Sequence, residues 1–115
     1  MTYKKSILVM EGIKYNYSIR PCENFVKITV YSEKSKVSIF TVYFSYAEAW
    51  GFDVYRPKTM EILIRFYYEN TVEQNEFKVS DCPLLFQSLL DYYFKDSSVC
   101  ERDDFINKCA EAKEK

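Results

Sequence analysis

Apolar and polar side chains alternate with a period of two along much of the first half of the chain. Ile13, Tyr15, Tyr17 and Ile19 interleave with Lys14, Asn16, Ser18 and Arg20. This is the pattern of a strand with one buried face, because successive side chains of a strand point to opposite sides. A short apolar strand, Ser6–Met10, precedes it, and Glu11 and Gly12 join the two as a tight hairpin in which glycine supplies a positive φ. The alternation resumes after Pro21, with Val26, Ile28 and Val30 on one side and Phe25, Lys27, Thr29 and Tyr31 on the other. The polar run Ser32–Lys36 predicts the next turn.

Val37–Phe44 is apolar on both sides, as expected of a strand near the middle of a sheet. Met60–Glu69 reads the same way: Met60, Ile62, Ile64, Phe66 and Tyr68 form one apolar row, and Glu61, Leu63, Arg65, Tyr67 and Glu69 a mixed one. Between them, Ser45 and Glu48 have capping-box spacing for one helical turn that Gly51 ends, and 52–59 is expected to be a surface loop. Phe77–Val79 is the expected last edge strand. Ser80 or Asp81 then caps a helix with Pro83 in its first turn and Leu85, Phe86, Leu89, Leu90 and Tyr93 at helical spacing. After a break at Asp96–Ser98, a second capping box, Ser98 with Glu101, starts a helix striped by Phe105, Ile106, Cys109 and Ala112.

The pattern predicts a single α+β domain over residues 1–115, with an antiparallel, meander-like sheet of about five to six strands followed by two C-terminal helices packed on one face. The other sheet face is expected to be partly apolar, with Phe25, Tyr31, Leu63, Tyr67 and one row of the fourth strand. Either a homodimer or a protein partner covers such a face, or the sheet curls and buries it.

Composition sharpens this picture in three respects. Aromatic residues make up 18% of the chain, more ring surface than a core of this size usually uses, so some rings are expected at a surface that meets a partner. Residues 1–60 carry nine basic and five acidic side chains and residues 61–115 carry seven and twelve, so the net charge of −1 conceals a polarity along the sequence. A negative helical end steers basic partners, whereas solvated helix faces would explain the same counts. Lysine outnumbers arginine twelve to four and only four alanines occur, the bias of A+T-rich codons, which suggests a low-G+C bacterium or a phage or mobile element within one. No secretory signal or bilayer-spanning stretch is read from the sequence, so a cytoplasmic location with reduced, buried thiols at Cys22, Cys82, Cys100 and Cys109 is expected.

The chain contains no histidine. That excludes Ser/His/Asp and Cys/His nucleophilic sites and zinc sites that use histidine. Glycine occurs only at positions 12 and 51, so no phosphate-binding glycine loop exists. Glu76, Phe77 and Lys78 give an acid–spacer–lysine triplet that resembles the ExK half of the restriction-endonuclease-like nuclease core, with Asp53 as the distant carboxylate that two-carboxylate magnesium chemistry requires. A solvated strand edge explains the same three residues. Asp103 and Asp104, beside Glu101, suit either a cation or the positive end of a helix macrodipole. Tyr46, Trp50, Phe52, Asp53, Tyr55 and Arg56 bring together the side-chain types enriched at binding hot spots, unless Trp50 and Phe52 tuck inward to plug the sheet end. Lys4, Lys5, Lys14 and Arg20 lie near Tyr15 and Tyr17, but in alternation these rings face away from the cations, so no direct nucleic-acid contact is expected.

By elimination, the sequence suggests a small non-enzymatic inhibitor, needing no cofactor or metal, that occupies a basic nucleic-acid-binding surface of another protein, such as a CRISPR nuclease. The expected contact set is Tyr46, Trp50, Phe52, Asp53, Tyr55, Arg56, Asp103 and Asp104. An immunity protein or antitoxin is the alternative within that class, and a metal-dependent nuclease using Asp53, Glu76 and Lys78 the alternative outside it.

Overall fold

The computed structural model describes residues 4–32, 38–70 and 74–114, with side chains for 6–32, 38–70 and 74–111. The expected turn at 33–36, the strand residue Val37, part of the polar link at 71–73 and the side chain of Ala112 lie outside the described residues. Four antiparallel strands follow the alternation of the sequence: β1 (Lys4–Met10), β2 (Ile13–Pro21), β3 (Val26–Ser32) and β4 (Ser38–Phe44), paired in chain order as a meander. Met10 pairs with Ile13 across the two-residue turn. Glu11 (φ 51°) and Gly12 (φ 79°) both take positive φ, the twist that suits a two-residue hairpin.

The register aligns Tyr17 with Val30 and Phe40, and Ile19 with Ile28 and Val42. All six are buried, so one face of the sheet is the floor of the core. Fully burying an apolar side chain of this size contributes about 1.5–3 kcal/mol, which makes this face the main source of stability in the fold.

The chain then departs from the predicted all-antiparallel order. Residues 46–69 form two helices, α1 (Tyr46–Gly51) and α2 (Pro57–Glu69), and return the chain beside β4 as a short parallel strand, β5 (Glu76–Lys78). Met60–Glu69 is therefore a helix and not a strand, and most of the expected 52–59 loop is the tight link that delivers it. Pro57 sits in the first turn, where its missing N–H costs nothing. Met60, Leu63 and Ile64, which recur at helical spacing, are buried, and Tyr67 stacks on Phe40 at 4.5 Å. Leu63 and Tyr67 thus belong to the core and not to a second sheet face.

A 3-10 turn (Val79–Asp81) leads into α3 (Pro83–Tyr93), and α4 (Val99–Glu114) closes the chain. The helices lie on the core face of the sheet, with α4 packed on α1. The two expected C-terminal helices are α3 and α4, α1 and α2 are inserted before β5, and the sheet is mostly antiparallel with one parallel edge pair. Buried residues of the sheet and of all four helices join in one cluster. Within it Phe52 meets Phe86 at 5.3 Å and Phe105 at 4.9 Å, and Phe105 stacks on Phe94 at 4.7 Å. Much of the aromatic surplus is consumed here, locking α4 to the rest of the helical layer.

Candidate partner-binding surface

The α1 corner is held from both ends. The Ser45 hydroxyl accepts the Glu48 amide N–H at 3.2 Å, and the Glu48 carboxylate accepts the Ser45 amide N–H at 2.8 Å, completing the capping box read from the sequence. The Tyr46 hydroxyl donates to the Cys22 carbonyl, tying the helix to the β2–β3 turn. Gly51 is the last residue of α1, and its role is close packing and not a left-handed stop. A Cβ there would stand 2.0 Å from Phe105 Cε1.

This corner sorts the two large rings of the segment. Phe52 is fully buried, whereas Trp50 turns outward and is 71% exposed. Phe52 therefore acts as core, and Trp50 is left as the exposed ring of the corner. Tyr55 is half-buried against the cluster.

Beyond Phe52 the chain reverses through Asp53 at φ 45°, a conformation that aspartate tolerates better than most residues. Asp53 Oδ2 pairs with Arg56 Nε at 2.9 Å, an exposed pair worth at most about 1 kcal/mol. The buried Thr59 hydroxyl lies 2.9 Å from the carbonyls of both Phe52 and Asp53 and is also bonded to the Tyr93 hydroxyl, pinning the reversal to α2 and α3. Burial pushes the Tyr93 hydroxyl above its ordinary range.

On α4, Phe105 and Cys109 face inward, and Arg102 Nη2 donates to the Phe94 carbonyl at 3.1 Å. Asp103 and Asp104 are exposed and diverge by about 100° around the helix, so they do not converge on one cation. Because Phe105 rests on Gly51, the Asp103–Asp104 pair and Trp50 each lie within two residues of one helix–helix contact.

Beside this corner runs an open groove of about 380 Å³ between α3 and α4, lined mainly by apolar side chains including Phe86, Leu90, Ile106 and Cys109. Sequence reasoning missed it, because it depends on where α4 docks. Burial, reinforced by the nearby negative charge of Glu48, pushes the Cys109 thiol up to about 12, so it is inert near neutrality. All four cysteines are free, but only Cys109 is buried; Cys22 and Cys82 are half-buried and Cys100 is exposed.

The acid–lysine triplet is not assembled with its distant carboxylate. Phe77 points into the core, so Glu76 and Lys78 face the opposite side of the sheet from the helical layer that carries Asp53. Glu76 instead accepts a hydrogen bond from the Tyr43 hydroxyl, which raises the Tyr43 pKa. Among the described residues no three His, Cys, Asp or Glu side chains gather in a way that holds a metal ion. No helix among them is long and apolar enough to cross a membrane.

Fold and surface together define a two-layer α+β domain with a tryptophan-bearing helical corner on one side and, on the other, a sheet face that no described helix covers. No family model, curated protein or solved structure matches the chain.

Proposed function

We propose that the chain acts by occupancy, as a protein-binding inhibitor that sets the Trp50 corner and the adjacent acidic turn of α4 against a basic surface of a nucleic-acid enzyme. One observation carries this: Trp50 is 71% exposed on a backbone fixed by a capping box and by the Gly51–Phe105 contact. A large ring held out on a rigid element loses little entropy on binding, which is why tryptophan is enriched at hot spots. Asp103 and Asp104 beside it supply the charge that steers a basic partner and fixes orientation. An immunity protein or antitoxin would use the same corner against a toxin, and the identity of the captured protein separates these cases.

The test is an affinity capture from a low-G+C bacterial lysate treated with nuclease, comparing the native chain with Trp50→Ala and with Asp103→Asn/Asp104→Asn. One stoichiometric protein is expected on the native chain and is lost with Trp50→Ala, while the thermal midpoint is nearly unchanged because the ring is outside the core. Capture that survives both variants sinks the proposal.

A further inference from the structure

The face of the sheet turned away from the helices carries a second pattern. Cross-strand pairing places Arg20 opposite Lys27, Lys27 opposite Tyr43 and Tyr43 opposite Lys78. Three cations and one ring therefore stand in a single row across β2, β3, β4 and β5. With strands about 4.8 Å apart, the row extends roughly 14 Å. Among the described residues Arg20, Lys27 and Lys78 form no ion pair, and the Glu76 carboxylate beside them is engaged by the Tyr43 hydroxyl.

Rings accompany the cations on this same face. Phe25, 38% exposed, packs edge-on against Tyr43 at 5.2 Å. Tyr31 stands four residues beyond Lys27 on the same side of β3, paired with Ser38 of β4 across a register shift that follows Val30. Between the two ring positions lie Thr29 and Thr41, hydrogen-bonded to each other at 3.4 Å and almost buried although no described helix covers them. Tyr15 and Tyr17 do face away from the cations, as their alternation requires. The rings that join the cations are instead Phe25 and Tyr31, which share the side of Lys27 by alternation, and Tyr43, which the register adds.

We propose that the sheet face turned away from the helices is a binding site for single-stranded nucleic acid, its phosphates following the Arg20–Lys27–Lys78 row and its bases stacking on Phe25 and Tyr31. Cations that form no ion pair among the described residues, interleaved with rings, are what a single-strand platform needs: charge for the backbone and aromatic faces that accept any base. A second copy of the chain does not suit the face, because a two-fold contact would bring the cation row against itself. The acidic turn of α4 lies in the helical layer behind the sheet, and salt screens charges separated by more than about 8 Å at physiological ionic strength.

Fluorescence anisotropy with a labelled homopyrimidine oligonucleotide across a salt series tests this. Arg20→Gln, Lys27→Gln and Lys78→Gln together are expected to lower the salt slope by roughly 2, about 0.7 for each cation that contacts a single strand. Phe25→Ala and Tyr31→Ala are each expected to weaken binding about fivefold or more while leaving the slope in place. Phe25→Leu, which keeps apolar bulk but loses the ring, repeats the measurement should Phe25→Ala lower the melting temperature. Trp50→Ala is expected to leave oligonucleotide binding unchanged, so failure of the protein-capture experiment and failure of this one are separable. The inference is overturned if no oligonucleotide binds at low salt, if the triple variant keeps the native slope, or if duplex DNA or poly-glutamate binds equally well with the ring variants without effect.

Discussion

At Gly51 the absence of a single methyl group lets α1 and α4 meet. The phenyl ring of Phe105 occupies the space that any larger residue would claim, with ring atoms at 2.0, 2.6 and 2.7 Å from an ideal Cβ. The obstacle is the body of a ring held by Phe52, Phe86 and Phe94, not the free end of a flexible side chain. Gly51→Ala is therefore expected to destabilise the protein by about 1–3 kcal/mol, the usual cost of overpacking, as measured by urea unfolding. A midpoint equal to the native one would mean that α4 shifts without penalty. The sequence places this glycine correctly at the end of a helical turn but offers no sign of its partner, since Phe105 lies more than fifty residues downstream.

Elements whose apolar positions fit one period were legible in the sequence, and the element whose apolar positions fit two was not. β2 alternates cleanly between buried and accessible positions, and β3 does so up to Thr29, which is buried on the outer face. The capping box of α1 and Pro83 in the first turn of α3 were equally plain, since both are set by neighbours in sequence, although the N-cap of α3 is Cys82 and not Ser80 or Asp81, which form the 3-10 turn before it. In α2, Met60, Ile62, Ile64, Phe66 and Tyr68 satisfy a period of two, while Met60, Leu63, Ile64 and Tyr67 satisfy a period of 3.6. An apolar-rich run of this kind is ambiguous by periodicity alone, and its length and Pro57 were the better guides. The site divided in the same way. The aromatic content of 46–56 was visible, but only packing decides that Phe52 faces in and Trp50 out. At the β1–β2 hairpin, by contrast, sequence and structure agree, and one residue there is suboptimal: Glu11 sits at φ 51°, where Asn is better tolerated. Glu11→Asn is expected to raise unfolding free energy by up to about 1 kcal/mol. The weak contact of Glu11 with Arg65, 3.6 Å long with Glu11 77% exposed, offsets little of that. An unchanged or lowered stability by chemical denaturation would count against this account of the turn.

Over the whole molecule, groups whose pKa values are raised in the folded state couple the fold to alkaline pH. Burial holds Cys109 protonated up to about 12, against 9.0 for an unperturbed thiol, and Tyr43 and Tyr93 are likewise raised above 10.0, the first mainly by its bond to Glu76 and the second by burial. A group whose pKa is raised on folding contributes stability that is fully present below its unfolded pKa and is lost as pH rises through the folded value. The melting temperature is accordingly expected to be level through neutrality and to fall progressively above pH 9.0 toward about 12, with Cys109→Ala removing part of that slope. A flat profile over that window would show that these groups ionise without unfolding. The parallel pairing of β5 has a consequence of another kind. β1 to β4 are zipped by neighbouring turns, but β5 returns only after the α1–α2 excursion and joins β4 through three residue pairs. Amide exchange should therefore be slowest in β2 and β3 and fastest at β5, the strand with the fewest partners. Each time that clip opens, the outer edge of β4, with Phe40, Val42 and Phe44 along it, becomes a free template for another strand. Resistance to self-assembly on that side of the sheet rests on Glu76, Phe77 and Lys78 holding their place.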